Sequence, residues 1–163
     1  MAKTWNDLPA ALFTGHRESV QPGWIDYNGH MNLAFYVLAF DHATDAVFEE
    51  FGVDEAYRRR THQSIFVAET HVVYLDEALE GDHLLFATRI LDHGDKKVRL
   101  FHDMYAEKSG ALIATIELMI LHVDLGARRV VPFPPEVLTR VEAMAAAQRD
   151  LPPPPQAGRA VTM

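Results

Sequence analysis

The spacing of apolar and polar residues predicts one long helix near the start of the chain. Residues 33–51 read LAFYVLAFDHATDAVFEEF and are followed by Gly52, which is typical of a helix that ends on a left-handed glycine. Asn32 is a favourable residue for capping the N-terminus of this helix. Residues 33–40 carry no charge. We therefore expect protein to surround the first half of the helix, and only the second half to meet water.

The remaining pattern predicts short extended segments. One strand is expected within residues 12–20, where Pro22-Gly23 then stops it. After a basic linker, YRRRTHQ, four further strands are predicted at residues 65–75, 83–91, 98–107 and 111–124. Short turns that contain glycine separate the last four, which suits antiparallel hairpins because parallel strands need longer crossovers.

The C-terminal part of the chain contains prolines and alanines. Residues 136–148 form an alanine-rich segment that predicts a helix, and residues 151–155 read LPPPP, a stiff extended segment that we expect not to pack. The prediction is a single domain over residues 1–150, followed by a Pro-rich disordered tail over residues 151–163.

These elements limit the fold. One strand, one long and mostly buried helix and four antiparallel strands pack most simply as a curved sheet around the helix. The predicted class is α+β with the hotdog fold: an antiparallel five-stranded sheet wrapped around one long central helix, plus a C-terminal helix. Because exposed sheet edges are usually covered by pairing, we expect a homo-oligomer, either a dimer or a tetramer.

Composition narrows the chemistry. The chain has 163 residues and no cysteine, so disulfides, a thiol nucleophile and thiolate metal ligands are excluded. None of the nine histidines lies in a His-x-His, His-x-x-His or His-x-x-x-His pair, so neither a metal site nor any other cofactor is predicted.

Charge and hydropathy bear on partners and location. A formal charge of −8 argues against nucleic acid as a partner. No run reaches the roughly 18 apolar residues of a membrane span, and the first residues lack the layout of a secretory signal. We expect a cytoplasmic protein that does not insert into membranes.

The densest group of functional residue types lies directly before the predicted central helix, over residues 24–32, WIDYNGHMN. A helix N-terminus presents unpaired N–H groups that could polarise a thioester carbonyl as charge builds on its oxygen. Asp26 could attack the acyl carbon or take a proton from an attacking water. Alternatively, Asp26 and Asn32 only make turn and capping hydrogen bonds. The residues alone leave both interpretations open.

Residues 26–32, DYNGHMN, resemble the Asp-x-x-Gly-His-x-Asn signature of the 4-hydroxybenzoyl-CoA thioesterase-like hotdog family, and the resemblance extends over about residues 17–137. It implies hydrolysis of an acyl-CoA thioester to the free acid and CoA, with Asp26 as nucleophile or general base. The backbone N–H near Leu33 would be the oxyanion donor. Gly29 would permit close backbone approach, and His30 would either bond the backbone or transfer a proton.

Substrate-binding candidates come from further segments. Alternation along residues 65–75 places Val67, Glu69, His71 and Val73 on one face, so Glu69 and His71 should be neighbours that face either solvent or a pocket. The basic candidates for the anionic end of CoA lie after the central helix, in one hairpin and before the C-terminal prolines, although such clusters are also common on solvated surfaces: Arg58, Arg59, Arg60, Lys96, Lys97, Arg128 and Arg129.

A narrower resemblance links residues 24–32, Glu69-Thr70-His71 and Tyr74-Leu75 to the thioesterases associated with carnitine dehydrogenase. It implies betainyl-CoA as substrate. The faces of Trp24, Tyr36 and Tyr74, with a carboxylate such as Asp41, would then accommodate a trimethylammonium group. The plainer interpretation is that these aromatic residues belong to the core.

Two other functions compete. A hotdog hydratase or dehydratase would need a histidine paired with a carboxylate, for which His30 is the obvious candidate. A non-catalytic acyl-CoA-binding or regulatory module would keep a basic patch but would not depend on Asp26.

Overall fold

In the computed structural model, which describes residues 4–161, a single antiparallel sheet packs around one long helix. The strand order is β1-β3-β4-β5-β2, and the short β6 pairs with β5. The strands are β1 Arg17–Ser19, β2 Gln63–Tyr74, β3 His83–His93, β4 Lys97–Ala106, β5 Leu112–Asp124 and β6 Arg129–Val130. The predicted antiparallel five-stranded arrangement is confirmed, with β6 as a two-residue addition.

Three α-helices accompany the sheet: α1 Leu33–Glu50, α2 Glu55–Thr61 and α3 Pro135–Gln148. The limits of α1 are set as expected. The Asn32 side chain accepts a hydrogen bond from the Ala34 N–H at 3.0 Å, and Gly52 just beyond the helix has a φ of +85°. None of the helices in residues 4–161 is long and apolar enough to cross a lipid bilayer.

The core lies between α1 and the inner face of the sheet. Burying a large apolar side chain contributes about 1.5–3 kcal/mol, so this one helix face accounts for much of the hydrophobic stabilisation. The buried apolar residues of α1 are Tyr36, Ala39, Phe40, Ala43, Val47 and Phe48, and they pack against inward-facing residues of β3, β4 and β5 that include Phe86, Leu100, Met104, Ile116, Leu118 and Ile120.

The first half of α1 is less covered than its sequence suggests. Leu33 is 63% exposed, and Val37 and Leu38 are also exposed. We expected protein to surround these turns, and this is wrong for a single chain because the sheet covers only one side of the helix. An apolar strip therefore remains uncovered where α1 begins.

Two local predictions are also corrected. The segment expected to be a basic linker is helical: Asp54 caps α2 by accepting a hydrogen bond from the Tyr57 N–H at 2.6 Å, and the Tyr57 side chain is buried. The first strand is shorter than expected. β1 has three residues, and Phe13 upstream makes only an isolated bridge with Thr88.

A register shift in β2 changes which residues share a face. Val67 pairs with Ile120 of β5, whereas Glu69 pairs with Met119, so Ala68 is an extra residue at this point. Val67 therefore lies on the same side of the sheet as Ile120 and not on the side of Glu69 and His71. The strict alternation predicted from the sequence is wrong at this point, because one inserted residue reverses the facing of everything before it.

The proline-rich segment after α3 makes more contacts than we expected. An Arg89 guanidinium N–H donates to the Pro152 carbonyl at 2.8 Å, and the Gly158 N–H donates to the Glu117 carboxylate at 2.6 Å. Pro154 is buried. Residues 1–3 of the predicted domain and residues 162–163 of the predicted tail lie outside the described residues.

A buried histidine makes stability depend on pH. His102 is fully buried between two threonines: Thr44 Oγ1 lies 3.0 Å from Nε2, and Thr88 Oγ1 lies 2.7 Å from Nδ1. Because Thr44 also donates to the Phe40 carbonyl, its oxygen is an acceptor for Nε2–H, and the neutral imidazole satisfies both contacts. Burial lowers the pKa of His102 to about 3.

We therefore predict that stability falls as pH falls below the ordinary histidine value. Between pH of about 6.5 and about 3 the unfolded chain takes up a proton at His102 and the native chain does not, which costs up to about 1.4 kcal/mol per pH unit. Urea unfolding at pH 7.0, 6.0 and 5.0 measures this slope. In His102→Gln the slope should be shallower by about that amount, while His93→Gln serves as a control. An unchanged slope in His102→Gln would contradict the assignment.

Candidate active site

The segment before α1 is a closed loop. Ile25 and Met31 form an antiparallel bridge, which brings the two ends of the loop together. Within it, the Asp26 N–H donates to the His30 carbonyl at 3.1 Å and the Gly29 N–H donates to the Asp26 carbonyl at 3.0 Å. These backbone bonds close the loop at its two ends. We call residues 25–31 the motif loop.

Gly29 is required by the backbone of the motif loop. Its φ is +85°, a conformation that residues with a Cβ rarely adopt, and an added Cβ would meet no described atom within 4 Å. Conformation therefore explains this glycine within the chain. A close approach of substrate to it stays a prediction.

The Asp26 carboxylate is held at the start of α1. It is half-buried; Oδ1 accepts a hydrogen bond from the Asn28 N–H at 2.8 Å, and Oδ2 accepts one from the Asn32 side-chain amide at 3.2 Å. Asn32 uses its other side-chain atom, Oδ1, to cap the helix at Ala34. One asparagine thus fixes both the helix start and the orientation of the carboxylate.

The first N–H of α1 has no acceptor among residues 4–161. The Ala34 and Phe35 N–H groups both bond Asn32, through its side chain and its carbonyl, whereas the Leu33 N–H has no such partner. An unpaired N–H at a helix N-terminus carries partial positive charge and suits an oxygen on which negative charge develops. The carboxylate and this donor both adjoin Asn32.

The His30 side chain contacts backbone. Its Nδ1 lies 3.2 Å from the Met31 carbonyl, and within the described residues its ring makes no hydrogen bond to a carboxylate. This geometry matches the structural interpretation of His30. It gives no support to the paired histidine and carboxylate that a hydratase would need.

The structure brings the predicted aromatic residues to the same end of α1. The Trp24 ring stacks on Phe35 with centroids 5.6 Å apart, and the Tyr74 hydroxyl donates to the Leu33 carbonyl at 3.2 Å. Tyr36 is buried beside Tyr74, with ring centroids 5.2 Å apart. Trp24 and Tyr74 keep accessible surface, whereas the ring of Tyr36 belongs to the core.

Two acidic residues near this cluster were not anticipated from the sequence. Asp76 and Glu77 follow β2, and the next residue, Ala78, accepts the Met31 N–H at 2.8 Å and so ties this turn to the motif loop. The Tyr36 hydroxyl donates to the Asp76 carbonyl at 3.3 Å; burial raises the pKa of Tyr36, and the charges of Asp76 and Glu77 raise it further. In the sequence, only the position of Asp76 and Glu77 directly after Tyr74-Leu75 could have indicated that they lie near the site.

Asp41, the carboxylate suggested for a cationic group, lies elsewhere. It is exposed on α1, eight residues after Leu33 or about 12 Å along the helix axis. Asp76 and Glu77 are therefore better placed to face a cation near the start of α1.

Glu69 and His71 lie on the outer face of the sheet. Their partners on β5 are Met119 and Glu117, which face away from α1, and together they line an outer cleft of about 300 Å³ with Arg99 and Gly158. The chain does not bring them to Asp26. Their role in substrate binding stays a prediction.

Three of the predicted CoA-binding residues lie beyond the far end of α1. Arg58, Arg59 and Arg60 are exposed on α2, where Arg59 pairs with Glu55. An 18-residue helix spans about 27 Å, so this cluster and Asp26 are well separated within one chain. Their role in holding CoA is likewise untested by the geometry of a single chain.

The profile of the thioesterase-like superfamily matches residues 20–141, which include the motif loop, α1 and strands β2 to β6. The chain belongs to this superfamily. The predicted hotdog thioesterase family and the predicted enzyme class, thioester hydrolase, are thereby confirmed.

Relatives of this thioesterase-like chain include two kinds of protein. It is 41% identical over 150 residues to the betainyl-CoA thioesterase of Pseudomonas aeruginosa, covering 92% of this chain and 94% of that protein. It is also 38% identical over 159 residues to the L-carnitine dehydrogenase/betainyl-CoA thioesterase of Agrobacterium fabrum. The match covers 98% of this chain but only 32% of that longer protein.

A solved structure supports the fold assignment of this thioesterase-like chain. A hypothetical protein from Staphylococcus aureus, solved in complex with CoA, superposes with a TM-score of 0.87 at 28% identity, covering 93% of this chain and 95% of the other. The two chains therefore share one architecture along nearly their whole lengths.

Proposed function

We propose that the chain hydrolyses an acyl-CoA thioester to the free acid and CoA, with Asp26 acting at the acyl carbon. The observation that carries this proposal is the arrangement around Asn32, which holds the Asp26 carboxylate and directly precedes Leu33, whose N–H has no acceptor within residues 4–161. Membership of the thioesterase-like superfamily and the 41% identity to a betainyl-CoA thioesterase support it.

Each group would act at a defined atom. The thioester oxygen would accept the Leu33 N–H, so that the charge that develops on the oxygen faces the positive end of α1; an oxyanion donor of this kind contributes about 10²–10³-fold in rate. Asp26 would either attack the carbonyl carbon, forming a mixed anhydride, or remove a proton from a water that attacks it. In both routes the carbon–sulfur bond breaks and CoA leaves as the thiolate. In the first route water then hydrolyses the anhydride, which releases the free acid and regenerates the Asp26 carboxylate.

We propose further that the acyl group is small and cationic, as in betainyl-CoA. The accessible faces of Trp24 and Tyr74 lie beside the start of α1, and the carboxylates of Asp76 and Glu77 follow the strand that carries Tyr74. A quaternary ammonium over an aromatic face gains about 0.5–2 kcal/mol, depending on how far it is desolvated. The names of the Pseudomonas aeruginosa and Agrobacterium fabrum relatives support the same choice.

The active unit proposed is a homo-oligomer, with a dimer as its smallest form. Two uncovered apolar surfaces support this: the first half of α1 with Leu33, Val37 and Leu38, and the edge strand β2 with Phe66 and Val67. A strand with unpaired backbone groups at a sheet edge is a natural site for pairing with a second copy. Such pairing would also cover the Leu33 side chain beside the proposed oxyanion donor.

The first prediction for this site concerns the carboxylate. Asp26→Asn should keep the fold and lower the specificity constant for thioester hydrolysis by at least about a hundredfold, because an amide is neither a base nor an effective nucleophile. Release of free thiol from acyl-CoA measures this loss.

Two variants sharpen the test of Asp26. Asn32→Ser keeps a good helix cap and removes the amide donor to Asp26, so it should lose activity with little loss of stability. Asp150→Asn changes an exposed aspartate far along the chain and should behave as wild type. Near-wild-type turnover in a folded Asp26→Asn variant would contradict the role of Asp26, whereas a wild-type chain that binds acyl-CoA without releasing thiol would favour a binding module.

The second prediction concerns the acyl group. Betainyl-CoA should be preferred over 3,3-dimethylbutanoyl-CoA, its neutral isostere, by about tenfold or more, and both over palmitoyl-CoA. Tyr74→Leu or Trp24→Leu should reduce the preference for the cation, because each removes one aromatic face. The comparison is between specificity constants. If palmitoyl-CoA is the best substrate, the proposal of a cationic acyl pocket is wrong, whereas the proposal of thioester hydrolysis still stands.

The third prediction concerns assembly. Light scattering coupled to size-exclusion chromatography should give at least twice the 18.4 kDa mass of one chain. Val37→Glu, which places a charge on the uncovered strip of α1, should shift the protein towards monomer. A monomeric wild-type protein at micromolar concentration would contradict the proposal.

A further inference from the structure

Three metal-ligand side chains meet at a site that the proposed reaction does not use. His16 precedes β1, Glu18 lies in β1 and His42 lies in the middle of α1. The Glu18 carboxylate sits between the two imidazoles, with Oε1 3.0 Å from His16 Nε2 and Oε2 3.0 Å from His42 Nδ1. The three ligand-type atoms lie within 4.8 Å of one another. We call these three residues the His–Glu–His cluster.

The cluster is partly sheltered but open to solvent. The side chains of His16, Glu18 and His42 are 21%, 17% and 41% exposed. The His16 ring packs against Phe86 of the core, with ring centroids 5.0 Å apart, so its position is set by packing. An ion could therefore enter from solvent and meet ligands that are already oriented.

We propose that His16, Glu18 and His42 form a binding site for a divalent transition metal ion of the zinc class. Two imidazoles and one carboxylate are a donor set that zinc favours, with metal–nitrogen and metal–oxygen distances of about 2.0–2.2 Å. Donor atoms at those distances around a tetrahedral ion lie roughly 3.5 Å apart. Small side-chain rotations bring the present cluster to that spacing and leave a fourth position for water.

The local charges favour a cation. Asp41 adjoins His42 on α1, and Asp45 follows one turn later. Burial is the largest cause that raises the pKa of Asp45, and the negative charge of the nearby Asp41 raises it further. A bound divalent cation would offset the repulsion between these two carboxylates.

Metal binding is compatible with neutral histidines. Without metal, the facing nitrogens can each donate a proton to Glu18, and the direction of these bonds depends on the tautomer. With metal, each proton would sit on the other ring nitrogen, so that Nε2 of His16 and Nδ1 of His42 offer lone pairs. The exchange breaks two hydrogen bonds and forms three metal–ligand bonds.

The consequence would be a tie between two elements. β1 has only three residues and pairs with one neighbour, β3. A metal shared by residues 16 and 18 and by His42 would fix this edge of the sheet to the middle of α1. The site is independent of the proposed hydrolysis, because none of its residues contacts the motif loop through a described hydrogen bond.

The test is a metal titration of the full-length chain without an affinity tag, after treatment with a chelator and dialysis. Co²⁺ should bind with one-to-one stoichiometry and give visible d–d absorption that Zn²⁺ abolishes by displacement. Zn²⁺ at a hundredfold excess over its Kd should raise Tm by about 5 °C. Calorimetry gives the affinity.

Variants locate the site. Glu18→Gln and His42→Ala should each weaken binding by at least about a hundredfold, because each removes one ligand of three. His93→Gln, a histidine outside the cluster, should bind as wild type. Glu18→Gln keeps the side-chain size and a hydrogen-bonding oxygen, so it remains informative if His42→Ala folds poorly. Absence of saturable binding, or wild-type affinity in a folded Glu18→Gln, would overturn the proposal.

Discussion

The burial of one face of α1 against the inner face of the sheet is the constraint on which the rest of the structure depends. Phe40, Val47 and Phe48 fix the helix along its length, and the direction of its axis fixes where its first N–H groups point. A helix that could slide or rotate would move the Leu33 N–H away from the carboxylate.

Asn32 connects the packed helix to the Asp26 carboxylate. Its carbonyl and side-chain oxygen satisfy two N–H groups of α1, while its amide holds Asp26. Since both tasks fall to one residue, the position of the carboxylate relative to the helix terminus is set within a single side chain. Precision of this kind is what a pair of groups acting on one carbonyl requires.

Much of this was accessible from local sequence pattern. The start of α1, its glycine end and the order of the strands follow from capping, helix periodicity and short turns, all of which act over a few residues. The extra residue at Ala68 could not be predicted, because a bulge is decided by pairing with β5 and not by β2 alone. The approach of His16 to His42 depends on how β1 packs on α1, so a search for closely spaced histidines misses it. The uncovered strip of α1 was missed for a different reason. A run of apolar residues predicts that a helix face is buried, but it does not tell whether the same chain or a second copy buries it.

Because the motif loop is closed by its own backbone, substitutions in the lining of the proposed acyl pocket need not move Asp26. The bridge between Ile25 and Met31 and the bonds inside it do not involve the side chains that surround the proposed acyl pocket. Tyr74 extends from β2 to the start of α1, where its hydroxyl donates to the Leu33 carbonyl. A backbone carbonyl can accept from many different donors, so this contact does not require tyrosine. Substitutions in the lining of the proposed pocket could therefore accumulate over evolution and change which acyl group fits, while the backbone that holds Asp26 stays the same.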